Sequence, residues 1–160
     1  MVLGWIMTTL LNGLKEGVEL MTIKVRYSTD EVTVIPQENG DWIDLATVEE
    51  VSLKAGEYRN ISLGVAMELP AGYEAHVIPR SSTFKKFGIL QANSFGLIDN
   101  TYCGNDDIWH FPAYATRDVV IPKGVRICQF RVQKCMPKLE IKVVDNLEND
   151  NRGGFGSSGW

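Results

Sequence analysis

The sequence predicts an all-β fold, a jelly roll or barrel with one short helix and a flexible C-terminal arm. From residue 21 onward, short β-branched segments recur between turn signals such as PAG, PKG and ENGD, a pattern typical of strands joined by turns. The sequence has no glycine-rich strand-to-helix turn, alternating strand and helix order or long internal repeat, which excludes dinucleotide-binding folds and solenoids. The 160 residues, 44% of them hydrophobic, suffice for one domain with a buried core.

The predicted elements follow one another along a domain at 21–145. A short helix, TFKKF, is predicted in the middle, where Ser81 or Ser82 could cap it and Gly88 could end it. The predicted strands are MTIKVRY (21–27), EVTVI (31–35), NISLGV (60–65), EAHVI (74–78), DVVI (118–121), VRICQFRV (125–132) and EIKVV (140–144).

The two ends of the chain differ from this domain. Residues 1–20 show apolar residues at helical spacing, but their glycines weaken a helix and the stretch is too short to span a bilayer. They also lack the basic start and the cleavage site of an export signal. We expect the natural start at Met21, with 1–20 an extension that is not native or is disordered. Residues 146–160 are polar and glycine-rich and cannot bury enough apolar surface to fold alone, so we expect an arm.

Charge and cysteine usage restrict the partners. Sixteen Lys and Arg against 20 Asp and Glu give a net charge of −4, so the chain has no basic field to hold a nucleic acid or an anionic membrane. Its three cysteines are odd in number and do not resemble a disulfide framework. We therefore expect reduced thiols and a cytoplasmic protein.

Two segments in the middle of the chain are candidates for chemistry. VIPRSSTFKKFG at 77–88 presents the guanidinium of Arg80, the hydroxyls of Ser81 and Ser82 and a helix start to an anion; the alternative, favoured when the segment is taken alone, is a helix cap with a surface arginine. GLIDNTYCGN at 96–105 contains an acid, a turn and an aromatic residue; the alternative is a hairpin whose acid serves the turn and whose tyrosine fills the core.

Two later segments are weaker candidates. In KGVRICQF at 123–130, Arg126 and Gln129 interrupt an apolar strand, and a solvated strand residue is the alternative. NRGGFGSSG at 151–159 could be a flexible linker, an RNA-binding RGG box or a phosphate loop. The lone histidines give neither a zinc site nor a Ser-His-Asp triad. We expect His76 to be structural, whereas His110, with Trp109 and Phe111, either covers a ligand or forms a packed insertion.

The order of these motifs carries more information than any one of them. PRSS, GLIDNTYCGN, GVRICQ and RGGFGSSG, in this order, resemble the motif series of the trimeric dUTP diphosphatases, the dUTPase family, over about Asp41 to Gly159. GDWIDLATVEE at 40–50 takes the place of the first motif, with Asp44 at the position of its aspartate. NDDIWHFPAY at 105–114 is similar to the variety found in Gram-positive bacteria and their phages.

The resemblance implies a dUTPase-like jelly roll that hydrolyses dUTP to dUMP and pyrophosphate, which limits uracil in DNA and supplies dUMP. It implies Asp99 as the base that orients water for in-line attack on the α-phosphorus. Mg²⁺ would be held by the phosphates and by water, with no direct protein ligand and with Asp44 in the surrounding layer. It further implies a homotrimer with shared active sites.

The resemblance also assigns the substrate contacts. The PRSS motif would bind the α- and β-phosphates, and the C-terminal arm would bind the γ-phosphate. A predicted hairpin would contact uracil, and a tyrosine would contact the deoxyribose. Arg126 would support these phosphate contacts through an ion pair. The residues so assigned are Arg80, Ser81, Ser82, Asn93, Gly96, Leu97, Ile98, Tyr102, Arg126, Gln129, Arg152, Phe155, Gly156, Ser157 and Ser158.

Three other functions remain open at this point. A dCTP deaminase shares a related fold and the phosphate sites, but it needs a glutamate near the base where this sequence has Asp99 and Tyr102. A phage-type dUTPase that also binds a repressor-type protein would use 105–116 as its contact surface. A carbohydrate-binding jelly roll would have no use for arginines in three separate motifs.

Overall fold

The computed structural model describes residues 21–154. It confirms the all-β class with one short helix, α1 (Thr83–Phe87). No helix in the described part of the chain is long and apolar enough to cross a membrane. The strands are β1 (Lys24–Tyr27), β2 (Val34–Pro36), β3 (Ile43–Ala46), β4 (Val51–Leu53), β5 (Tyr58–Ser62), β6 (Val65–Glu68), β7 (Tyr73–Pro79), β8 (Ile89–Gln91), β9 (Gly96–Ile98), β10 (His110–Ala115), β11 (Val119–Ile121) and β12 (Arg126–Lys134).

The strands form antiparallel sheets around one core. The largest sheet has the order β2-β3-β12-β7-β9, and smaller sheets pair β5-β10-β8, β11-β4 and β1-β6. Alternate residues of the strands point inward, as period-2 patterning requires. The core contains large, fully buried side chains from both main sheets: Leu45, Ile61, Trp109, Phe111, Ile127 and Phe130.

Helix α1 is held at its two ends by different means. Ser82 is the N-cap residue, but its side chain makes no capping hydrogen bond, contrary to the prediction for Ser81 or Ser82. Instead, the buried Thr83 hydroxyl donates to the Ile127 carbonyl of β12 at 2.7 Å. Gly88 ends the helix as predicted, with φ +64°, and a Cβ at this position would lie 2.8 Å from the Arg117 side chain. This close approach and the left-handed backbone both favour glycine.

Two strand predictions need correction. NISLGV at 60–65 is divided between β5 and β6, because Gly64 adopts φ +64° between them. EIKVV at 140–144 was predicted as a strand, but residues 135–154 contain no strand in the structure. Its apolar side chains lie in the open, with Ile141 88% and Val143 90% exposed. A strand needs a hydrogen-bonded neighbour, and within the described residues this segment pairs with none.

Candidate active site

A buried carboxylate organises the first group of candidate residues. Asp44 of β3 is 1% exposed. Its Oδ1 forms an ion pair with Arg80 Nε at 3.0 Å, and its Oδ2 accepts hydrogen bonds from Arg126 Nη1 at 3.1 Å and from Gln37 Nε2 at 2.9 Å. One negative charge therefore aligns two guanidinium groups, which remain partly exposed. The two arginines and the carboxylate together carry a net positive charge. Arg126 thus forms an ion pair with Asp44, and its supporting role in substrate binding stays a prediction.

Strand order explains why these residues meet. Strand β12 lies between β3 and β7, so Arg126 at the start of β12 and Arg80 directly after β7 both reach Asp44. The register pairs Arg126 with Ala46 and Gln129 with Asp44, with a bulge between Arg126 and Cys128.

The bulge decides the direction of the arginine. Arg126 and Gln129 are three positions apart, so in a regular strand they would point to opposite faces of the sheet. The extra residue in β12 places both on the face of Asp44. No feature of the sequence predicted this bulge.

The PRSS segment is fastened to the same strand. The Arg80 N–H donates to the Ile127 carbonyl at 3.3 Å, and the Thr83 hydroxyl donates to the same carbonyl. Ser81 is exposed and Ser82 is half-buried beside Arg80. Sequence reasoning missed Thr83; its only signal was a small polar residue directly after a candidate phosphate motif.

A second group of candidates surrounds Asp99. Its Oδ1 accepts from the Thr101 N–H at 2.7 Å, and its carbonyl accepts from the Tyr102 N–H at 3.0 Å, so the acid does serve the turn. The pKa of the exposed Asp99 carboxyl is lowered by the Thr101 backbone N–H first and by the Thr101 side chain second. The carboxylate is therefore ionised at neutral pH and its second oxygen is open to a ligand.

Tyr102 lies on the wall of a cleft beside Asp99. It is 40% exposed, so it does not fill the core, and its hydroxyl donates to the Ile108 carbonyl at 3.2 Å. The cleft has a volume of about 460 Å³ and is lined by Leu97, Ile98, Asp99, Thr101, Tyr102, Ile108, Trp109 and His110.

The β8–β9 connection beside this cleft carries the residues predicted to contact a base; it is not the predicted hairpin, because β8 pairs with β10 and β9 with β7. Asn93 and Leu97 are exposed, and Ile98 is half-buried. A Cβ on Gly96 would lie 3.0 Å from Val77 Cβ and 3.1 Å from Gln91 Nε2. Only glycine allows the backbone of β9 to pack this closely on β7.

The two groups do not meet within one chain. Ile98 pairs with Ala75 near the start of β7, whereas Arg80 follows the end of β7. Ala75 and Arg80 are five positions apart, which is about 17 Å along an extended strand. One chain therefore places the arginine pair at one end of β7 and Asp99 near the other.

The aromatic segment is a central strand. Trp109 and Phe111 are fully buried in the core, so the packed alternative holds for them, and only His110 is exposed at the cleft. Other side chains of 105–116, such as Asp106 and Tyr114, are exposed, so the prediction of a protein-contact surface there stays a prediction. His76 contacts Glu74 at 2.7 Å and the Phe95 ring at 4.7 Å, which is a structural arrangement.

The C-terminal candidates lie at the limit of the described chain. Arg152 is exposed and precedes Gly153, which has φ +82°. The predictions for Phe155, Gly156, Ser157 and Ser158 lie outside the described residues. Within 21–154, no group of His, Cys, Asp and Glu is arranged to hold a metal ion.

Comparison with known proteins gives consistent results. The model of the dUTPase family matches residues 34–159. The SPbeta prophage-derived deoxyuridine 5'-triphosphate nucleotidohydrolase YosS of Bacillus subtilis is 56% identical over 140 residues, which cover 87% of this chain and 99% of the relative. The corresponding enzyme of Clostridium acetobutylicum is 34% identical over 145 residues, covering 88% and 98%.

Solved structures show the same fold. A mutant dUTPase from phage phi11 of S. aureus, whose structure shows the coordination of a structural Mg(II) ion, aligns with a TM-score of 0.67 at 19% identity, covering 80% of this chain and 99% of that one. The dUTPase of Staphylococcus bacteriophage 80alpha with dUPNHPP aligns with a TM-score of 0.68 at 24% identity, covering 86% and 98%.

Proposed function

This chain belongs to the dUTPase family, and we propose on that premise that it hydrolyses dUTP to dUMP and pyrophosphate by in-line attack of an Asp99-oriented water on the α-phosphorus. The observation that carries the proposal is the buried Asp44 carboxylate, which aligns Arg80 and Arg126 as an anion site. Such an enzyme lowers dUTP, limits uracil in DNA and supplies dUMP. Its three thiols are free, which suits a reducing cytoplasm.

The arginine pair supplies local attraction for the triphosphate. The substrate carries close to four negative charges and the chain carries −4, so attraction has to come from a positive patch rather than from the net charge. Arg80 uses only Nε on Asp44, which leaves the two terminal nitrogens of its guanidinium for phosphate oxygens. Ser81, Ser82 and Gln129 flank this patch and add neutral hydrogen-bonding groups.

Asp99 has the properties that a water-orienting base requires. Its carboxylate is ionised at neutral pH, it is exposed on the wall of a cleft, and the turn at Thr101 fixes one of its oxygens. General-base assistance of this kind contributes about 10²- to 10⁴-fold to the rate. Tyr102 stands beside it, where its ring can lie against deoxyribose and exclude a 2′-hydroxyl by shape.

The donor chemistry of the site fits Mg²⁺ that is carried by the substrate. Both oxygens of Asp44 are occupied by side-chain N–H groups, so this carboxylate acts on the site through its two arginines rather than as a metal ligand. Mg²⁺ commonly binds through phosphate oxygens and retained waters. When bound, the ion would neutralise charge that develops on the phosphates.

The separation of the two groups supports an assembly with shared sites. Since Arg80 and Asp99 lie near opposite ends of β7, a complete site needs the arginines of one copy beside Asp99 of another. The exposed segment 140–144 also supports an assembly, because Ile141 and Val143 alternate with polar residues, as in a strand that lacks its partner strand. We propose a homotrimer, as in the family.

The C-terminal arm would complete the site. Arg152 with Ser157 and Ser158 would close on the γ-phosphate, and Phe155, followed by Gly156, would stack over uracil. Closure of this kind excludes water from the reacting groups.

The direct test is pyrophosphate release from dUTP beside dCTP, dTTP and UTP, with and without Mg²⁺. Of these four nucleotides, we expect turnover only of dUTP. Its rate should be much higher with Mg²⁺ than without it. Equal turnover of dCTP or UTP would contradict the proposed base and sugar contacts, and no release from dUTP would contradict the function itself.

A further inference from the structure

Gln91, at the end of β8, lies beneath the β8–β9 connection that is predicted to contact the base. It is only 8% exposed. Its Nε2 donates to the Val77 carbonyl at 3.2 Å and to Asn93 Oδ1 at 3.0 Å. No motif included this residue, and its buried amide is not used by any step described above.

The orientation of both amides follows from one backbone carbonyl. The Val77 carbonyl can only accept, so the end of Gln91 that faces it has to be the NH₂ group. The same NH₂ group meets Asn93, so the near atom of the Asn93 amide has to be its oxygen. Turning the Gln91 amide would place two acceptors against each other, and within residues 21–154 Gln91 Oε1 has no partner that would compensate.

We propose that Gln91 is a positioning residue for base selection: it turns the amide of Asn93 so that the NH₂ group, and not the oxygen, faces the pyrimidine. The two ends of a planar amide point in different directions, so Nδ2 of the exposed Asn93 is directed away from Gln91. The β8–β9 connection then offers a donor, which matches a carbonyl oxygen of uracil and opposes the 4-amino group of cytosine. The inference rests on the proposed function, in which Asn93 contacts the base.

Gly96 makes this arrangement feasible. A Cβ at this position would lie 3.1 Å from Gln91 Nε2 and 3.1 Å from the Val77 carbonyl oxygen, which are the donor and acceptor of the first hydrogen bond. The absence of a side chain leaves room for that bond under the β8–β9 connection. The glycine and the glutamine therefore act together to fix the Asn93 amide.

The test is Gln91→Met, which keeps an unbranched side chain of similar length and removes both hydrogen bonds. We expect KM for dUTP to rise about threefold to tenfold, the worth of about one neutral hydrogen bond, with kcat nearly unchanged. The preference for dUTP over dCTP in kcat/KM should fall by a similar factor. Gln133→Met, the same change in half-buried β12, is the control and should leave that preference unaltered.

A double-mutant cycle separates positioning from simple packing. In an Asn93→Ala background, Gln91→Met should have no further effect on KM, because the amide that it positions is gone. An effect of equal size in both backgrounds, or an unchanged KM and dUTP preference in the single variant, would overturn the inference. Failure of the unaltered chain to release pyrophosphate from dUTP would instead contradict the proposed function. Thermal unfolding of each variant confirms that it is folded.

Discussion

Replacing Asp44 by Asn removes one buried charge and almost no volume. Removing one partner of a buried ion pair costs about 3–5 kcal/mol. The side chains of Arg80 and Arg126 are 27% and 39% exposed, so water takes over part of their solvation, and we expect a loss of about 2–3 kcal/mol in the free energy of unfolding. At about 2–4 °C per kcal/mol for a domain of this size, Tm should fall by about 4–12 °C.

The same substitution should also affect activity. Without the carboxylate, the two guanidinium groups are no longer aligned, and the loss of one charge-assisted hydrogen bond to phosphate lowers kcat/KM for dUTP more than about tenfold. Calorimetry and pyrophosphate release measure the two effects. Asp118→Asn is the control, because Asp118 forms an exposed ion pair with Lys54 and should change neither quantity appreciably. Wild-type Tm and kcat/KM in Asp44→Asn would refute the assignment of Asp44 as the organiser of the site.

Four further predictions concern the base, the arm, the assembly and the titration. Asp99→Asn should still bind dUTP but lose about 10²- to 10⁴-fold in kcat. Near-normal turnover in rapid-quench assays would show that Asp99 is not the base that orients the water. Cutting the chain after Asp150 should leave a folded protein that hydrolyses dUTP poorly. Full activity of this truncated protein would show that the arm does not complete the active site. Ile141→Asp should reduce the trimer fraction in light scattering if a second copy covers this side chain, whereas an unchanged mass would leave 140–144 as free surface. In the free protein, an NMR titration should place the pKa of Asp99 below that of an ordinary aspartate, and Thr101→Ala should raise it because one of its hydrogen bonds is lost; a pKa at or above the ordinary value would contradict the turn geometry.

Local patterns predicted much of the fold. The β-branched segments that became β7, β11 and β12 pair within the chain, and Gly88 ends α1 because the left-handed conformation is a local property. The segment EIKVV at 140–144 has the same composition but forms no strand, because pairing depends on an edge that composition does not reveal.

The site was predictable to a different degree. Arg80, Asp99 and Tyr102 stand in motifs, and the structure places them on a loop, on a turn and on the wall of a cleft. The motifs did not reveal that Arg80 and Asp99 are separated within one chain, because that depends on the antiparallel pairing of β7 with β9. The sequence contained no indication of a role for Gln91. A glutamine whose buried amide orients another amide looks, in the local sequence, like any other polar strand residue.

The bulge in β12 leaves one residue without a partner in the ladder with β3. The carbonyl of this residue holds the start of the PRSS segment. Ile127 is the surplus residue, and its carbonyl is the shared acceptor for the Arg80 N–H and the Thr83 hydroxyl. Deleting Ile127 would restore an unbroken ladder with β3 and still leave Arg126 and Gln129 on one face, but it would remove the carbonyl that Arg80 and Thr83 share. Ile127→Val keeps the carbonyl and removes only a methylene, at a cost of about 0.5–1.5 kcal/mol. Chain length at this point is therefore under tighter constraint than the identity of the apolar side chain.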